Sequence, residues 1–341
     1  APFLLADLEK EYTLHNLFLA EDKEALLADV GDRIRGILAG GMQGPDAALI
    51  NRLPNLEIIA SNSVGYDATD VAAANARGVP VTHTPDVLTD DVADLGMAFI
   101  IMAPRRIAES ERFLRAGKWP QGRMDLGTNV RGKKLGILGL GRVGSALAKR
   151  AQGFGLDIGF YDIVPKNDTP YRVYSSLLEM AEDSDILFVS CQGGETTRKL
   201  VSAEVLDALG PKGFLVNVAR GTIVDQDALV AAVKEKRIAG AAVDVFEDEP
   251  NAPEELFEVE NIIMTPHIAS STGETRGAMA DLVLENLRTN SSGGMAISSS
   301  SSATPPYRRS AKQGMEMLVS FVASARPHES EHALSPVIVM S

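Results

Sequence analysis

"KLGILGLGRVGSALAKRAQGFG", Lys134 to Gly155, decides the fold. Lys134–Leu138 has strand character and runs into Gly139, Leu140, Gly141, Arg142, Val143 and Gly144; beyond them apolar residues recur at helical spacing. A G-x-G-x-x-G pattern alone is a weak signal. Placed between a strand and a helix, it describes a turn that binds a dinucleotide pyrophosphate. Gly139 permits the tight turn, Gly141 lets the backbone approach the ligand, and Gly144 lets the helix pack on the strand. The helix opening at Arg142 and Val143 offers free N–H groups and a positive dipole end to phosphate. The Arg142 side chain is a further candidate contact. The next strand ends at Asp162, 23 residues after Gly139. An acid there accepts hydrogen bonds from the adenosine ribose and repels a 2′-phosphate. This favours NAD(H), with NADP(H) the alternative because Lys166 lies nearby. The open alternative for the whole stretch is a tight turn with no ligand.

Outward from this turn, the chain alternates short apolar runs with amphipathic stretches. Strands are expected at 57–63, 134–138, 157–162, 185–190, 214–219, 240–245 and 261–266. The segments between them carry Ser or Asp at plausible N-caps. Such βαβα alternation implies an α/β protein with parallel sheets covered by helices. Helical spacing also runs from Asp90 to Gly117, with Pro104 expected to kink it or end its first half. The first 89 residues alternate more weakly and are expected to form a smaller domain. From about Thr289 the chain is Ser-rich and aperiodic, and it is expected to be disordered, with one or two helical turns over 315–325.

Composition narrows the function. The formal net charge of −13 disfavours nucleic-acid binding. No apolar run reaches the ~20 residues of a membrane span, and no secretory leader opens the chain. One cysteine and five histidines without close spacing argue against a disulfide framework or a structural metal site. A cytoplasmic protein without metal is expected.

"FLVNVARG", Phe214 to Gly221, carries an apolar strand straight into Arg220. A guanidinium is costly to bury without an anion. Two readings stay open: a structural partner such as Asp225, or an anionic ligand beyond the carboxyl end of the strand.

"GILGLGRVG", "VNVARGTIVD", "AAVDVFEDEP" and "TPHIASST", in that order, resemble the D-isomer-specific 2-hydroxyacid dehydrogenases. "SNSVGYDATD" and "THTPDVLTDDVADLG" match the family's upstream segments. The similarity covers about residues 3–288 and is nearest to the hydroxyphenylpyruvate, hydroxypyruvate and glyoxylate reductase branch. It implies two Rossmann-like domains with parallel sheets and a cleft between them. The substrate domain is discontinuous, 1–89 and 273–290. The NAD-binding domain is 90–272, and 291–341 is the low-complexity tail. A homodimer is implied as well.

The resemblance also implies roles. Arg220 holds the carboxylate and carbonyl of a small 2-oxo acid. His267 is the general acid/base, suited by histidine's titration near neutral pH. Glu249, immediately before Pro250, is its partner by register, ahead of Glu247 and Asp248. Asp244 accepts from the nicotinamide carboxamide; a buried Asp capping the next turn is the bland alternative. Ser63, Val64 and Gly65 present backbone N–H groups to the substrate carboxylate. Met42 lines the side-chain pocket, and Trp119 reaches the partner subunit. "SCQGGETTRKL" departs from the family's proline-containing turn, and Cys191 and Gln192 are expected on the adenine side. Cys191 has no basic partner in view and reads as inert. The family's first strand lies upstream of the first residue here, and the Ser-rich tail replaces its closing segment. A less stable substrate domain is therefore expected. Formate dehydrogenase is disfavoured because its relatives place Gln beside the histidine, and phosphoglycerate dehydrogenase because it adds a regulatory domain. An NAD-sensing corepressor without turnover is the non-enzymatic alternative.

Overall fold

Strand and helix alternate as the apolar spacing requires. The computed structural model describes residues 2–166 and 168–291, and the backbone of 316–320. Its strands are β1 Thr13–Asn16, β2 Ile34–Ala39, β3 Ile58–Ser61, β4 Val81–Thr82, β5 Lys134–Leu138, β6 Asp157–Tyr161, β7 Arg172–Val173, β8 Ile186–Val189, β9 Phe214–Asn217, β10 Gly240–Val243, β11 Ile262–Met264 and β12 Glu316–Ser320. Its helices are α1 Pro2–Leu8, α2 Lys23–Val30, α3 Ala47–Arg52, α4 Val71–Ala76, α5 Thr89–Met102, α6 Ile107–Arg115, α7 Arg142–Gly153, α8 Leu177–Asp183, α9 Ala203–Leu209, α10 Gln226–Lys234 and α11 Gly273–Ser291. Asp22, Asp46, Asp70, Ser176 and Asp225 cap α2, α3, α4, α8 and α10 through side-chain oxygens. The long helical stretch breaks at Pro104, where the missing N–H and ring bulk end α5. Arg106, at φ 55°, then starts α6.

The described residues fall into two compact units, one running to Leu88 and resuming at Thr272, the other Thr89–Ser271. In the second unit all strands pair in parallel, in the order β11-β10-β9-β8-β5-β6-β7. The order reverses between β5 and β8, the position at which doubly wound sheets bind ligands. Strands β8, β9 and β10 are buried throughout, as both faces of such a sheet must be. One face is covered by α8, α9 and α10 through Leu177, Leu206 and Leu229. On α5, Gly96 lies against Phe188 of β8; a Cβ there would sit 2.7 Å from the ring.

The first unit holds a second parallel sheet, β1-β12-β2-β3-β4. Period-two alternation assigns its two faces. Leu38, Ile58 and Ala60 pack with Leu4 and Leu8 of α1 and Val283 and Leu287 of α11. Ile37 and Ile59 pack on the other side with Val30, Ile50 and Ala74.

One expectation is corrected. Over Glu316–Ser320 the tail is neither helical nor disordered but a parallel strand, registered with Thr13–Asn16 on one side and β2 on the other. An open slot between two strands rewards any β-competent segment that fills it, because each added strand satisfies two rows of backbone groups. The rest of the expected tail lies outside the described residues.

Candidate active site

The phosphate-binding turn is built as its glycines require. Gly139 has φ 91°, and a Cβ there would stand 2.7 to 2.8 Å from the backbone of Cys191, so only glycine fits. A Cβ at Gly144 would overlap the Gly139 carbonyl oxygen, the contact that keeps α7 tight on β5. Around Gly141 the space is open: a Cβ there would meet nothing within 4 Å. Gly141 caps α7 without any side-chain acceptor. The helix start, with exposed Arg142 and half-buried Val143, can offer its N–H groups to phosphate. Asp162 stands at the end of β6. Its Oδ2 accepts the Leu140 N–H at 2.8 Å and its Oδ1 the Val164 N–H at 2.9 Å. These bonds tie the acid to the turn. Glycine conformation, open space and acid together fit a dinucleotide.

Arg220 follows β9, half-buried. Its guanidinium donates to the Ala219 carbonyl at 2.8 Å. Asn217, an almost fully buried amide in an apolar strand, explains the local shape. Its Nδ2 donates to the Arg220 carbonyl at 2.9 Å and its Oδ1 accepts the Ala219 N–H at 3.0 Å. Gly193 leaves room for the arginine, since a Cβ there would meet its Cγ at 2.6 Å. Asp225, the structural partner weighed for Arg220, caps α10 and pairs with Lys199 at 3.3 Å.

His267 and Glu249 meet. His267 Nδ1 lies 2.6 Å from Glu249 Oε2, and the carboxylate's other oxygen accepts the Phe246 N–H at 3.0 Å. A carboxylate can only accept here, so Nδ1 carries the proton and Nε2 is left for chemistry. The imidazole side chain is 35% exposed and Glu249 only 13%. Hence the ring edge is accessible while its anchor is fixed. Glu247 instead pairs with Arg198, and Asp248 accepts from Asn251.

Asp244 caps the turn that follows β11. The residue is 0% exposed. Its carboxylate accepts from Thr265 Oγ at 2.5 Å and from the Ile268 and Ala269 N–H groups at 2.8 Å each. Its carbonyl accepts the His267 N–H at 2.8 Å. These bonds close the turn that carries His267 at φ 53°. The carboxylate thus holds the turn, as the turn-capping alternative describes.

Within the first unit, a loop follows β3. The Ser63 carbonyl accepts the Thr84 N–H at 2.9 Å, and the Val64 carbonyl faces His83 Nδ1 at 2.9 Å. Ser61 Oγ lies 3.5 Å from the Gly65 carbonyl. Among the described residues, the N–H groups of Ser63, Val64 and Gly65 donate to no protein acceptor. Amides left without a protein acceptor are available to an anion. Exposed Met42 lies in the neighbouring loop, whose Gly41 packs against Ser63. Trp119 is 67% exposed. Cys191 and Gln192 follow β8 beside Gly139.

Asn217, Thr265 and His83 escaped the sequence reading. A polar residue inside the apolar run "FLVNVA" was the available signal for Asn217; the partners of the other two side chains, the Asp244 carboxylate and the Val64 carbonyl, are distant in sequence and spacing does not reveal them.

Comparisons with known proteins bear on this site. Residues 97–269 match the family model described as D-isomer specific 2-hydroxyacid dehydrogenase, NAD binding domain. Glyoxylate/hydroxypyruvate reductase A of Arabidopsis thaliana is 47% identical over 85% of this chain and 93% of its own. Hydroxyphenylpyruvate reductase of Plectranthus scutellarioides is 45% identical over the same shares, 85% and 93%. The NADPH-dependent glyoxylate/hydroxypyruvate reductase of Sinorhizobium meliloti, solved with NADP and malonate, superposes with a TM-score of 0.77 at 42% identity, over 86% of this chain and 92% of that one. With a dinucleotide turn, a carboxylate-anchored histidine and an arginine beyond a strand end, the chain belongs to the D-isomer-specific 2-hydroxyacid dehydrogenase family, a family of NAD(P)-dependent oxidoreductases.

Proposed function

We propose that the chain reduces a small 2-oxo acid, of the hydroxypyruvate, glyoxylate or hydroxyphenylpyruvate kind, to the D-2-hydroxy acid at the expense of NADH. The His267–Glu249 pair at 2.6 Å carries this reading. A bound nicotinamide supplies hydride to the carbonyl carbon. The protein's tasks are to hold the acid, polarise its carbonyl and move one proton. The Ser63, Val64 and Gly65 amides take the carboxylate. Arg220 is suited to a bidentate, charge-assisted grip on carboxylate and carbonyl oxygen. His267 gives its Nε2 proton to that oxygen and takes it back in oxidation, while Glu249 holds the opposite edge. Asp244 keeps the His267 turn in place.

An acid at the end of β6, Asp162, supports NADH over NADPH because a carboxylate there would repel a 2′-phosphate, with Lys166 as the opposing charge. The exposed apolar side chains of Ile107, Leu114 and Trp119 support a homodimer. The single cysteine favours a cytoplasmic setting.

Steady-state oxidation of NADH and NADPH with hydroxypyruvate, glyoxylate and hydroxyphenylpyruvate tests the proposal. Turnover with at least one of them, more efficient with NADH, is expected. Tight NADH binding without turnover of any 2-oxo acid would overturn it and favour the sensor reading.

A further inference from the structure

We infer that His83 is a positioning residue for substrate binding: it latches the peptide between Val64 and Gly65 so that the Gly65 N–H faces the 2-oxo acid. This rests on the reading of Ser63–Gly65 as the carboxylate loop. In a trans peptide the C=O and N–H point in opposite directions. Fixing the Val64 carbonyl therefore aims the Gly65 N–H the other way. The Ser63–Val64 peptide is fixed likewise by the Thr84 N–H, through backbone that any residue at 84 except proline would supply. The Val64–Gly65 peptide adjoins a glycine, whose backbone rotates most freely, so it is the unit most prone to flip. Its carbonyl has His83 Nδ1 at 2.9 Å. A carbonyl only accepts, so Nδ1 must carry the proton. Half-buried Tyr66 meets the imidazole edge-on, with ring centroids 5.2 Å apart and planes at 81°, and holds its orientation. Tyr66 directly follows the loop in sequence and His83 directly follows β4, so a chain neighbour and a second segment together hold it.

Two substitutions separate the latch from general packing. His83→Phe keeps a ring against Tyr66 and removes the donor. His83→Asn loses the ring but places an amide N–H near the Nδ1 position. H83F is expected to raise KM for the 2-oxo acid about tenfold, with kcat within about threefold and NADH affinity unchanged, as loss of ground-state binding dictates. H83N should stay within about threefold of the native KM, the rescue that a shape-only role would not give. A KM in H83F within about twofold of native, or equal KM values in H83F and H83N, would overturn the latch. If H83F does not fold, Tyr66→Leu serves instead: releasing the ring should raise KM about threefold at unchanged NADH affinity, and an unchanged KM overturns the inference. Native enzyme that binds NADH but turns over no 2-oxo acid would remove the loop's role and the latch together. Native turnover with an indifferent H83F removes the latch alone.

Discussion

His267 sits in the left-handed region, at φ 53°, a conformation that costs a non-glycine residue about 1–3 kcal/mol and persists only when its surroundings impose it. Asp244 imposes it, through three bonds to its carboxylate and one to its carbonyl. Asp244→Asn puts an NH2 group where one of these donors points and leaves a buried donor unmatched. It should destabilise the protein by about 2–4 kcal/mol and lower kcat, because the turn carrying His267 relaxes; urea denaturation with kinetics on the folded fraction checks both. An unchanged midpoint would show that the turn does not depend on the carboxylate. At Arg220, replacement by lysine keeps the charge and loses the planar fork. Arg220→Lys should cost roughly 10²-fold or more in kcat/KM, about 3 kcal/mol, with NADH affinity unchanged. A loss under about threefold would remove Arg220 from the substrate site. The pairing of Glu249 with His267 was legible from the sequence because each sits in a short ordered motif. The part played by Asp244 was legible only as one of two readings, because it depends on which amides the turn after β11 brings to the carboxylate.

At the scale of elements, the unit around β5–α7 was nearly complete in the sequence, because its strands are buried on both faces and so read as continuous apolar runs. The strands β1, β2, β4 and β7 were missed: β1, β4 and β7 are two to four residues long, too short for periodicity to register, and the six residues of β2 lie in the first 89 residues, where the apolar alternation is weak. The departure after β8 has a physical consequence. Cys191 lies directly beneath the Gly139 turn, and burial pushes its thiol from an ordinary 9.0 up to about 12. The thiolate is the reactive form, so at pH 8 the folded protein should react with a disulfide reagent at least about 10²-fold more slowly than in urea. Native labelling within about threefold of the unfolded rate would show the turn to be open. The sign of the pH effect follows. Between pH 9 and 12 the unfolded thiol ionises while the folded one does not, so this contribution to stability is full below 9 and is lost as pH rises towards 12.

For the whole molecule, the two-unit division follows from sheet membership: α11 returns the chain to the first unit because Ala280, Val283, Leu284 and Leu287 need the apolar face of β2 and β3. That return was legible from the family motifs, whereas β12 was not. A Ser-rich composition argues for disorder, and a five-residue strand has no autonomous signal. Its place in the sheet has a testable consequence. In the order β1-β12-β2, β12 alone joins β1 to the rest of the sheet. Without it, β1 loses its paired strand and β2 becomes an edge. Truncation after Ser291 should therefore abolish hydrogen-exchange protection across Thr13–Asn16 and weaken it across Ile34–Ala39. Protection of β5, β8, β9 and β10 should stay as in the full chain, because their ladder lies wholly within the other unit. Protection at Thr13–Asn16 that survives truncation would mean that another segment holds β1. Loss of protection in both units together would mean that the first sheet and the nucleotide sheet unfold as one.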